Sequence, residues 1–192
     1  MERAKNLRAD GRVISFGPQH FVGLWDTAQI QSTLLLGSAL REQRDEFVHP
    51  SLVERPTHSA TIQRNQGSSW IFERFERVVK NVNVHYQFEI AGIEPVATRI
   101  RYVKDDFLAW HIDCGGAVEE GGKRKISLVV QLSSHDAYTG GDLEFAGSDN
   151  HIFARTVGTT VAFPSFLSHQ VTALLGGTRD VLVGFAYGPP FR

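Results

Sequence analysis

Apolar residues recur with helical spacing in the stretch that follows Ser68 and Ser69. They return every three or four residues, and charged residues fill most of the positions between them. This pattern is typical of an amphipathic helix that buries one face, and either serine is a suitable first cap. The apolar stripe consists of Ile71, Phe72, Phe75, Val78, Val79 and Val82. We therefore predict a core-packed helix here.

Another helix is predicted earlier in the chain, over the stretch from Trp25 to Phe47. Asp26 is a suitable N-cap, and Gln29 stands three residues later, where it would complete a capping box. Apolar residues at helical spacing follow, and the stretch becomes charged over Arg41–Glu46. We expect the apolar face of this helix to pack in the core as well.

Beyond residue 97 the hydrophobic period changes from helical spacing to two. Glycines also become more frequent, with six in residues 1–110 and twelve in residues 111–192, as expected where tight turns join short strands. The predicted strands are 97–103, 107–113, 125–132, 142–146, 158–163, 169–174 and 178–187. We predict a mainly β fold with N-terminal helices (α+β). Two sheets would form a sandwich or double-sheet jelly roll, and the helices would cover one sheet.

The length of 192 residues suits a single domain. Within it we distinguish a mostly helical support region, residues 1–95, from a β core, residues 96–192. The chain has 20 basic and 21 acidic residues, and its formal charge is −1. This balance argues against a nucleic-acid partner, because such proteins carry a basic surface.

Cys114 is the only cysteine, which excludes an internal disulfide and a cysteine-rich zinc site. The first ten residues lack the apolar run of a signal peptide. No apolar run reaches the roughly 18 residues that a membrane span requires. We therefore expect a cytoplasmic protein with no membrane partner.

Three side chains of the predicted β region are candidate metal ligands. His111 and Asp113 are two residues apart, so in a strand both would project from one face. His169 lies among apolar residues, which is unusual for a solvent-exposed histidine. Each signal alone also fits an ordinary surface or core residue. Together, two histidines and one carboxylate form the ligand set that is diagnostic of non-haem Fe(II) oxygenases.

Arg179 is a candidate ligand-binding residue. Alternation places it on the same face as Val181 and Val183, which we expect to be the inner side of a sheet. A buried guanidinium is costly unless an anion pairs with it. Either a protein carboxylate does so, for which Asp142 and Glu144 are available, or Arg179 clamps a ligand carboxylate in a bidentate fashion.

These residues lie within a pattern that closely resembles the prolyl 4-hydroxylase-like branch of the Fe(II)/2-oxoglutarate dioxygenases. Within that branch it is most similar to the PKHD-type hydroxylases. The resemblance covers about half of the chain, residues 100–192, in order and spacing. The runs that carry it are YVKDDFLAWHID at 102–113, KISLVVQLS at 125–133, YTGGDLEF at 138–145, GTTVAFPSFLSHQVT at 158–172, GTR at 177–179 and GFAYGP at 184–189.

The resemblance implies a double-stranded β-helix, a cupin-like jelly-roll barrel that is braced by helices and holds a metal at its mouth. His111, Asp113 and His169 would bind Fe(II) and so form the catalytic centre. Arg179 would pair with the 5-carboxylate of 2-oxoglutarate. The Gly140–Gly141 pair would be structural and would turn the chain.

The resemblance also implies the rest of the cosubstrate site and the reaction. Tyr102 and Gln131 stand where relatives often place side chains that help to hold the cosubstrate. The enzyme would use 2-oxoglutarate and O2, hydroxylate an unactivated C–H bond, and release succinate and CO2, with ascorbate as an expected stimulant. Relatives usually carry proline in the turn after the second histidine. Ala173 stands there in this chain, which we expect to change local rigidity and leave the chemistry intact.

We expect an amino-acid-like substrate, either free or at an exposed peptide position. Loops over Pro50–Gly67 and Cys114–Lys125 are expected to cover the mouth of the barrel, because they lack strong periodicity. Arg55, Arg64 and Arg99 are candidates for holding a substrate carboxylate, and nothing in the sequence distinguishes among them.

Three alternatives remain open at this point. A related enzyme would carry out the same chemistry on a free amino acid or a small biosynthetic intermediate. A non-enzymatic jelly roll would bind a sugar or a structural metal, although it has no use for open ligand positions beside a carboxylate clamp. A serine hydrolase would use Ser165 or Ser168 with His169, but no Gly-x-Ser-x-Gly elbow surrounds either serine. We expect the His135–Asp136 pair and His151 to be loop residues without a metal.

Overall fold

Antiparallel strands are the commonest secondary structure in the computed structural model. It describes residues 6–7, 13–14, 17–39, 41–42, 58–115, 122–147 and 155–191. The helices are α1 (Thr27–Leu36) and α2 (Ser69–Tyr86). The strands are β1 (Asn6–Leu7), β2 (Val13–Ile14), β3 (Gln19–Phe21), β4 (Arg41–Glu42), β5 (His58–Gln63), β6 (Gly92–Ile93), β7 (Val96–Tyr102), β8 (Leu108–His111), β9 (Lys123–Gln131), β10 (Tyr138–Gly140), β11 (Leu143–Phe145), β12 (Thr160–Pro164), β13 (His169–Val171), β14 (Leu174–Gly177) and β15 (Arg179–Gly188).

The strands form one large sheet and two small ones, in addition to the β1–β2 pair. The order in the large sheet is β3–β12–β9–β15–β7–β5–β4, and β6 pairs with the end of β15. The small sheets have the orders β11–β13–β8 and β10–β14. All of these pairings are antiparallel, as the jelly-roll prediction requires.

Two hydrophobic cores lie on opposite faces of the large sheet. The outer core joins that sheet to the helices through Ile71, Phe72, Phe75, Val78, Val79, Val82, Tyr86, Ile126, Leu128, Val130, Ala162 and Leu182, among others. The inner core joins it to the small sheets through Tyr102, Tyr138, Leu143, Phe145, Val161, Phe163, Val171, Leu174 and Val181. Since successive strand residues face opposite sides, β9 directs Ser127, Val129 and Gln131 inward. The predicted helix layer outside one sheet is confirmed.

The predicted capping box of α1 is confirmed, but the helix is shorter than expected. Asp26 Oδ1 accepts the Gln29 N–H at 2.8 Å, and the Gln29 side chain accepts the Asp26 N–H at 3.2 Å. The helix ends at Leu36 and does not continue toward Phe47. Arg99 explains this end, because its guanidinium donates to the carbonyls of Leu34 at 3.0 Å and Gly37 at 2.9 Å.

The predicted helix α2 is confirmed, and its whole apolar stripe is buried. Its start differs in detail from the expected cap. Ser68 precedes the helix, but its hydroxyl donates to the Gln63 carbonyl at 2.6 Å and makes no cap hydrogen bond. The helix ends where Gln87 adopts a left-handed conformation, and the Asn83 side chain bonds both backbone groups of Phe88.

All seven strands predicted beyond residue 97 are present, and the run 169–174 is divided between β13 and β14. The loop expected over Pro50–Gly67 is wrong in part, because His58–Gln63 forms β5 and pairs with β7. Residues 50–57 lie outside the described residues, as do residues 116–121 of the other expected loop, which ends where β9 begins at Lys123. Within the described part of the chain, no helix is long and apolar enough to cross a membrane.

The close approach of α2 to β15 generates a stability prediction. A Cβ atom on Gly184 would overlap the buried Phe75 ring, so alanine there requires the ring or its helix to shift. We expect Gly184→Ala to destabilise the fold by about 1–3 kcal/mol, the usual range for an overpacked core. Thermal and denaturant unfolding would measure the effect.

Gly67→Ala is the matched control, since its new Cβ would meet only the Asn65 side chain at an ordinary 3.5 Å. Adding Phe75→Leu to Gly184→Ala should recover part of the loss, because it removes the ring that the new methyl group strikes. Equal unfolding midpoints for Gly184→Ala and the wild type would contradict this packing of α2.

Candidate metal and carboxylate site

The pairing of β8 with β13 brings two histidines together. His111 and His169 are directly opposite each other in the ladder, and their ring centroids are 4.1 Å apart. His169 also lies opposite Phe145 on β11, and the Phe163 ring packs against it at 4.7 Å. The His169 imidazole is therefore held in the inner core, at 4% exposure, with its partner on the neighbouring strand.

Both imidazole rings are oriented by a backbone carbonyl two residues earlier. His111 Nδ1 lies 2.7 Å from the Ala109 oxygen, and His169 Nδ1 lies 2.9 Å from the Leu167 oxygen. A carbonyl oxygen can only accept, so in a neutral ring each Nδ1 carries the proton. Each Nε2 therefore presents a lone pair, which is the tautomer that a metal-binding histidine needs.

Asp113 completes the group, although it lies just beyond β8 and not in the strand that the sequence suggested. Its backbone N–H donates to the Ser165 carbonyl at 2.8 Å, which fixes the chain at this point. The carboxylate oxygens then lie 3.5 Å from His111 Nε2 and 3.5 Å from His169 Nε2. The structure thus brings together the three residues that the sequence predicted.

Two buried serines support the Asp113 carboxylate. The sequence analysis did not single out Ser127, and it named Ser165 only as a candidate hydrolase nucleophile. Ser127 Oγ donates to Asp113 Oδ2 at 2.7 Å, and the Ser165 hydroxyl lies 2.9 Å from Ser127 Oγ. Since the Ser127 proton is used on Asp113, Ser165 is the donor in the second contact. The inward direction of Ser127 follows from alternation with Leu128, and that was the available signal.

The geometry of this cluster fits a bound cation. The candidate ligand atoms of His111, Asp113 and His169 all lie within 4.8 Å of one another. Two imidazole lone pairs and a carboxylate therefore face one another, and this is unfavourable unless a cation lies between them. Two nitrogens and one oxygen in an open set suit Fe(II) with free positions for further ligands.

The pKa shifts in the cluster favour the ligand forms. Burial alone raises the pKa of Asp113, but its contacts with His111 and Ser127 and the charge of His169 outweigh burial, so its pKa lies below the ordinary value. Burial lowers the pKa of His169 and outweighs the opposing charge of Asp113, and the nearby His111 imidazole acts in the same direction as burial. A carboxylate and a neutral imidazole are the forms that bind a metal.

Arg179 lies in the inner core and lacks a complete set of partners. It is 4% exposed and stands opposite Tyr102 in the β15–β7 ladder, with its guanidinium carbon 5.5 Å from the centre of the Tyr102 ring. Its Nε donates to Gln131 Oε1 at 3.3 Å. Its Nη1 is buried and has no hydrogen-bond partner among the described residues.

The two acidic residues that could have neutralised Arg179 are engaged elsewhere. Asp142 forms an ion pair with Arg155, and Glu144 accepts a hydrogen bond from the Gln170 amide at 2.7 Å. Within the described chain, no carboxylate forms an ion pair with Arg179. Of the two alternatives that the sequence left open, the structure supports the one in which Arg179 receives an external anion.

A cavity lies beside Arg179. Its walls are formed by Val129, Gln131, Tyr138, Gly141, Asp142, Leu143, Arg155, Thr159, Val161 and Arg179. Gly141 forms part of one wall, and the φ angles of Gly140 and Gly141, 72° and 64°, favour glycine at both positions. Their predicted structural role is thereby confirmed. Tyr138, Arg155 and Thr159 were not predicted as site residues.

Two arginines proposed as substrate ligands have other roles. Arg99 is buried and pairs with Asp180 at 2.8 Å, and Arg64 pairs with Glu76 at 2.7 Å on the surface. Arg55 lies outside the described residues, as does His151. The His135–Asp136 pair is a solvent-exposed contact in a short 3-10 helix.

Comparison with known proteins finds relatives of the β core. The sequence profile of the 2OG-Fe(II) oxygenase superfamily matches residues 97–187. A PKHD-type hydroxylase of Synechococcus sp. (strain CC9605) is 37% identical over 78 residues, which cover 40% of this chain and 34% of that protein. A PKHD-type hydroxylase of Acaryochloris marina is 26% identical over 165 residues, 79% of this chain and 74% of the relative. The match thus spans about a third of the first relative and three quarters of the second.

Solved structures share the fold over nearly the whole chain. A prolyl-4-hydroxylase from Pseudomonas putida superposes with a TM-score of 0.66 at 16% identity, over 90% of this chain and 92% of that one. A prolyl hydroxylase from Trichoplax adhaerens, in complex with a hypoxia inducible factor peptide fragment, gives 0.68 at 14% identity, over 90% and 84%. The two facing sheets are therefore the double-stranded β-helix predicted from the resemblance.

The matched segment contains the three candidate metal ligands and the buried arginine. It runs from the first residues of β7 to the end of β15 and includes His111, Asp113, His169 and Arg179. Oxygenases of this group use Fe(II), 2-oxoglutarate and O2, which accords with three metal-binding side chains and a buried arginine that lacks an anion. Through residues 97–187, the chain is similar to the 2OG-Fe(II) oxygenase superfamily.

Proposed function

We propose that this protein is an Fe(II)- and 2-oxoglutarate-dependent dioxygenase. It hydroxylates an unactivated C–H bond of an amino-acid-like group and releases succinate and CO2. The observation that carries the proposal is the convergence of His111, Asp113 and His169 in an inner core that also buries Arg179 without a carboxylate partner. Three candidate metal ligands and a buried arginine without a carboxylate partner lie in the same barrel interior. They suit a cosubstrate that has a metal-chelating end and a carboxylate end.

His111 Nε2, His169 Nε2 and an Asp113 oxygen would hold the iron. When bound there, the iron supplies a Lewis-acidic redox centre at which the 2-oxo acid and O2 react. The chain's own contribution is to orient the ligands. Carbonyls of Ala109 and Leu167 keep the Nδ1 protons in place, so the lone pairs point to the metal. Three ligands leave the remaining positions to the cosubstrates.

Arg179 would hold the 5-carboxylate of 2-oxoglutarate. Burial removes competing water, and Gln131 occupies the Nε donor, so Nη1 is directed at the ligand. The Tyr102 ring lies beneath the guanidinium and restricts its movement. Tyr102 and Gln131, which the sequence resemblance also placed in the cosubstrate site, both contact Arg179. They would support the cosubstrate site by positioning its guanidinium.

The substrate proposal rests on the relatives. The similar solved structures include prolyl hydroxylases, one of them bound to a peptide fragment, and the curated relatives carry hydroxylase names. We infer an amino-acid-like substrate, peptidyl or free, with a small biosynthetic intermediate as the alternative. Stimulation by ascorbate, a cytoplasmic location and the lack of a nucleic-acid partner are further parts of the proposal.

A substrate screen tests the function. Purified protein is incubated with Fe(II), 2-oxoglutarate and panels of peptides, free amino acids and small metabolites. Succinate is quantified, and products are searched for a mass gain of one oxygen atom. Substrate-dependent succinate together with an oxygenated product supports the proposal. If 2-oxoglutarate neither binds nor turns over in any panel, the chain is a non-catalytic barrel.

The first prediction of this assignment concerns the metal. We expect one Fe(II) per chain, and we expect His111→Ala, Asp113→Ala and His169→Ala each to abolish metal-dependent turnover, because each removes one of three ligands. Anaerobic titration and metal analysis would measure binding, with circular dichroism as the check on folding. His135→Ala is the matched control, since it removes an imidazole beside a carboxylate on the surface. Full succinate production by the double variant His111→Ala/His169→Ala would refute the metal site.

The second prediction concerns the cosubstrate. Arg179→Lys keeps the positive charge but loses the planar fork, so 2-oxoglutarate affinity should fall by about 1.5–3 kcal/mol, or roughly ten- to a hundredfold in Kd. Calorimetry on the Fe(II)-loaded protein under argon would measure it. Metal binding should persist, because Arg179 is not a ligand. If Arg179→Ala binds 2-oxoglutarate as tightly as the wild type, the carboxylate is held elsewhere.

A further inference from the structure

Outside the metal and carboxylate site, one buried charged side chain of the described chain lacks both a hydrogen bond and an ion pair. Lys125 is 3% exposed, and its ammonium meets no carboxylate and no carbonyl among the described residues. The other buried charges have partners, which are Arg124 for Glu94, Asp180 for Arg99 and the Val103 N–H for Asp106. A covered ammonium without an anion is costly, so this exception calls for a reason.

The neighbours of Lys125 compensate its charge only in part. Its Nζ lies 3.6 Å from the centre of the Phe191 ring, and that ring packs edge-to-face against Phe166. An aromatic face attracts a cation but offers no acceptor to the three N–H donors. Burial lowers the pKa of Lys125 and outweighs the opposing effects of Glu89 and Cys114. Glu89 is exposed and forms no ion pair with it.

Lys125 lies at the metal end of β9. The inward residues of this strand run from Gln131, which contacts Arg179, to Ser127, which donates to Asp113. Lys125 follows two residues further on, and a strand rises about 3.3 Å per residue. It therefore lies roughly 6–7 Å beyond Ser127 along the strand, on the side of the metal ligands that is away from Arg179.

The backbone ties Lys125 to the chain that carries Asp113. The Ser165 N–H donates to the Lys125 carbonyl at 3.0 Å, and the Ser165 carbonyl accepts the Asp113 N–H at 2.8 Å. Burial raises the pKa of the Cys114 thiol, next to Asp113, and the charge of Lys125 acts against that rise. The Lys125 side chain is thus covered by its neighbours while it lies at the rim of the barrel beside the candidate metal ligands.

A β-bulge occurs at this point of the rim. Ile126 pairs with Ala186 and Arg124 pairs with Tyr187, so Lys125 is the extra residue between them. Bulges are frequent next to functional sites, where they redirect a side chain. The bulge gives β9 one more side chain at the barrel rim than a regular strand would have.

The neighbouring Arg124 shows how the protein pairs a cation at the same rim. Its guanidinium lies 3.7 Å from the centre of the Phe185 ring, and it donates to both oxygens of the buried Glu94 at 2.8 and 3.1 Å. Phe185 stands opposite Ser127 in the β9–β15 ladder. Two adjacent cations thus lie at one rim, one with a bidentate carboxylate and the other, Lys125, without any.

We propose that Lys125 binds a carboxylate of the substrate, so that the substrate is a free amino acid or the carboxyl-terminal residue of a peptide. This inference rests on the proposed function and deepens it by naming the substrate class. The 2-oxo acid and the substrate would then each be held by a cation, with Arg179 on one side of the metal and Lys125 on the other. An ammonium with three rotatable donors suits a carboxylate that arrives from solution, whereas a residue inside a peptide offers no main-chain carboxylate.

Unfolding of the metal-free, ligand-free protein gives a test that needs no substrate. Lys125→Met keeps the aliphatic stem and a favourable contact with the Phe191 ring but removes the charge, so the unfolding temperature should not fall. Arg124→Met is the matched comparison and should lower it by at least about 5 °C, because it leaves Glu94 buried without a partner. A fall in Lys125→Met would mean that the ammonium braces the fold, and it would overturn the inference.

A paired substrate panel tests the class directly. Fe(II)-loaded protein with 2-oxoglutarate is given free L-amino acids and their carboxamides, and peptides with a free or an amidated carboxyl terminus. Oxygenated products are detected by mass and succinate is quantified. We expect turnover of acids and not of the matching amides, and the comparison of amino acids with peptides distinguishes the two sources of the carboxylate.

Variants then connect the selectivity to Lys125. For an accepted acid, Lys125→Met should raise KM at least about tenfold with little change in kcat, as for loss of a hydrogen bond to a charged group. Lys125→Arg should retain part of the affinity, and the Kd of 2-oxoglutarate should be unchanged in both variants. Lys123→Gln is the matched control, since it removes the same charge at an exposed position two residues away and should leave KM unchanged.

The outcomes separate this inference from the function on which it rests. Equal turnover of acids and amides, or a wild-type KM for an accepted acid in Lys125→Met, overturns the role of Lys125 and leaves the function intact. Binding of 2-oxoglutarate with no oxygenated product from any acid overturns the substrate class. If the wild type binds no 2-oxoglutarate, the proposed function fails and this inference fails with it.

Discussion

The antiparallel register between β8 and β13 is the constraint on which the candidate site depends. It sets His111 against His169, and β11 on the other side of β13 sets Phe145 against the same histidine. A slip of one residue would turn every side chain of a strand to the opposite face. The ladder is irregular just beyond the histidine pair, as is common next to functional sites. A single backbone hydrogen bond, from the Asp113 N–H to the Ser165 carbonyl, then holds the Asp113 carboxylate beside both imidazoles.

Two neighbouring charged residues of β15 have opposite environments. Asp180 faces outward and is paired with Arg99 at 2.8 Å and Arg101 at 3.1 Å, and Arg99 also binds the carbonyls at the end of α1. This network ties the helix to the sheet. Arg179, one residue earlier, faces inward and has no carboxylate partner in the described chain. A buried charge that is fully paired braces the fold, whereas one left incomplete is suited to a ligand.

The sequence could predict the β core well because its short strands alternate cleanly and the residues with chemistry lie within them. The N-terminal strands were missed for a physical reason. The strand at 58–63 alternates in burial only because β7 and β4 flank it, and its own residues are mostly small or polar. The end of α1 depends on Arg99, more than sixty residues away. The support of Asp113 by Ser127 likewise needs the barrel to be closed before the two residues meet.

The two ends of the barrel interior differ in how far the protein satisfies its own polar groups. Among the candidate metal ligands, every donor has an acceptor: carbonyls hold both Nδ1 protons, and a pair of serines holds the carboxylate. Only lone pairs are left over, which a cation satisfies. At the far end, Arg179 Nη1 and Thr159 Oγ1 have no partner among the described residues, and an anion would satisfy them. A single molecule that chelates a cation at one end and carries a carboxylate at the other relieves both. Under the proposed function, ligand binding would complete the interior hydrogen bonding and stabilise the fold by mass action.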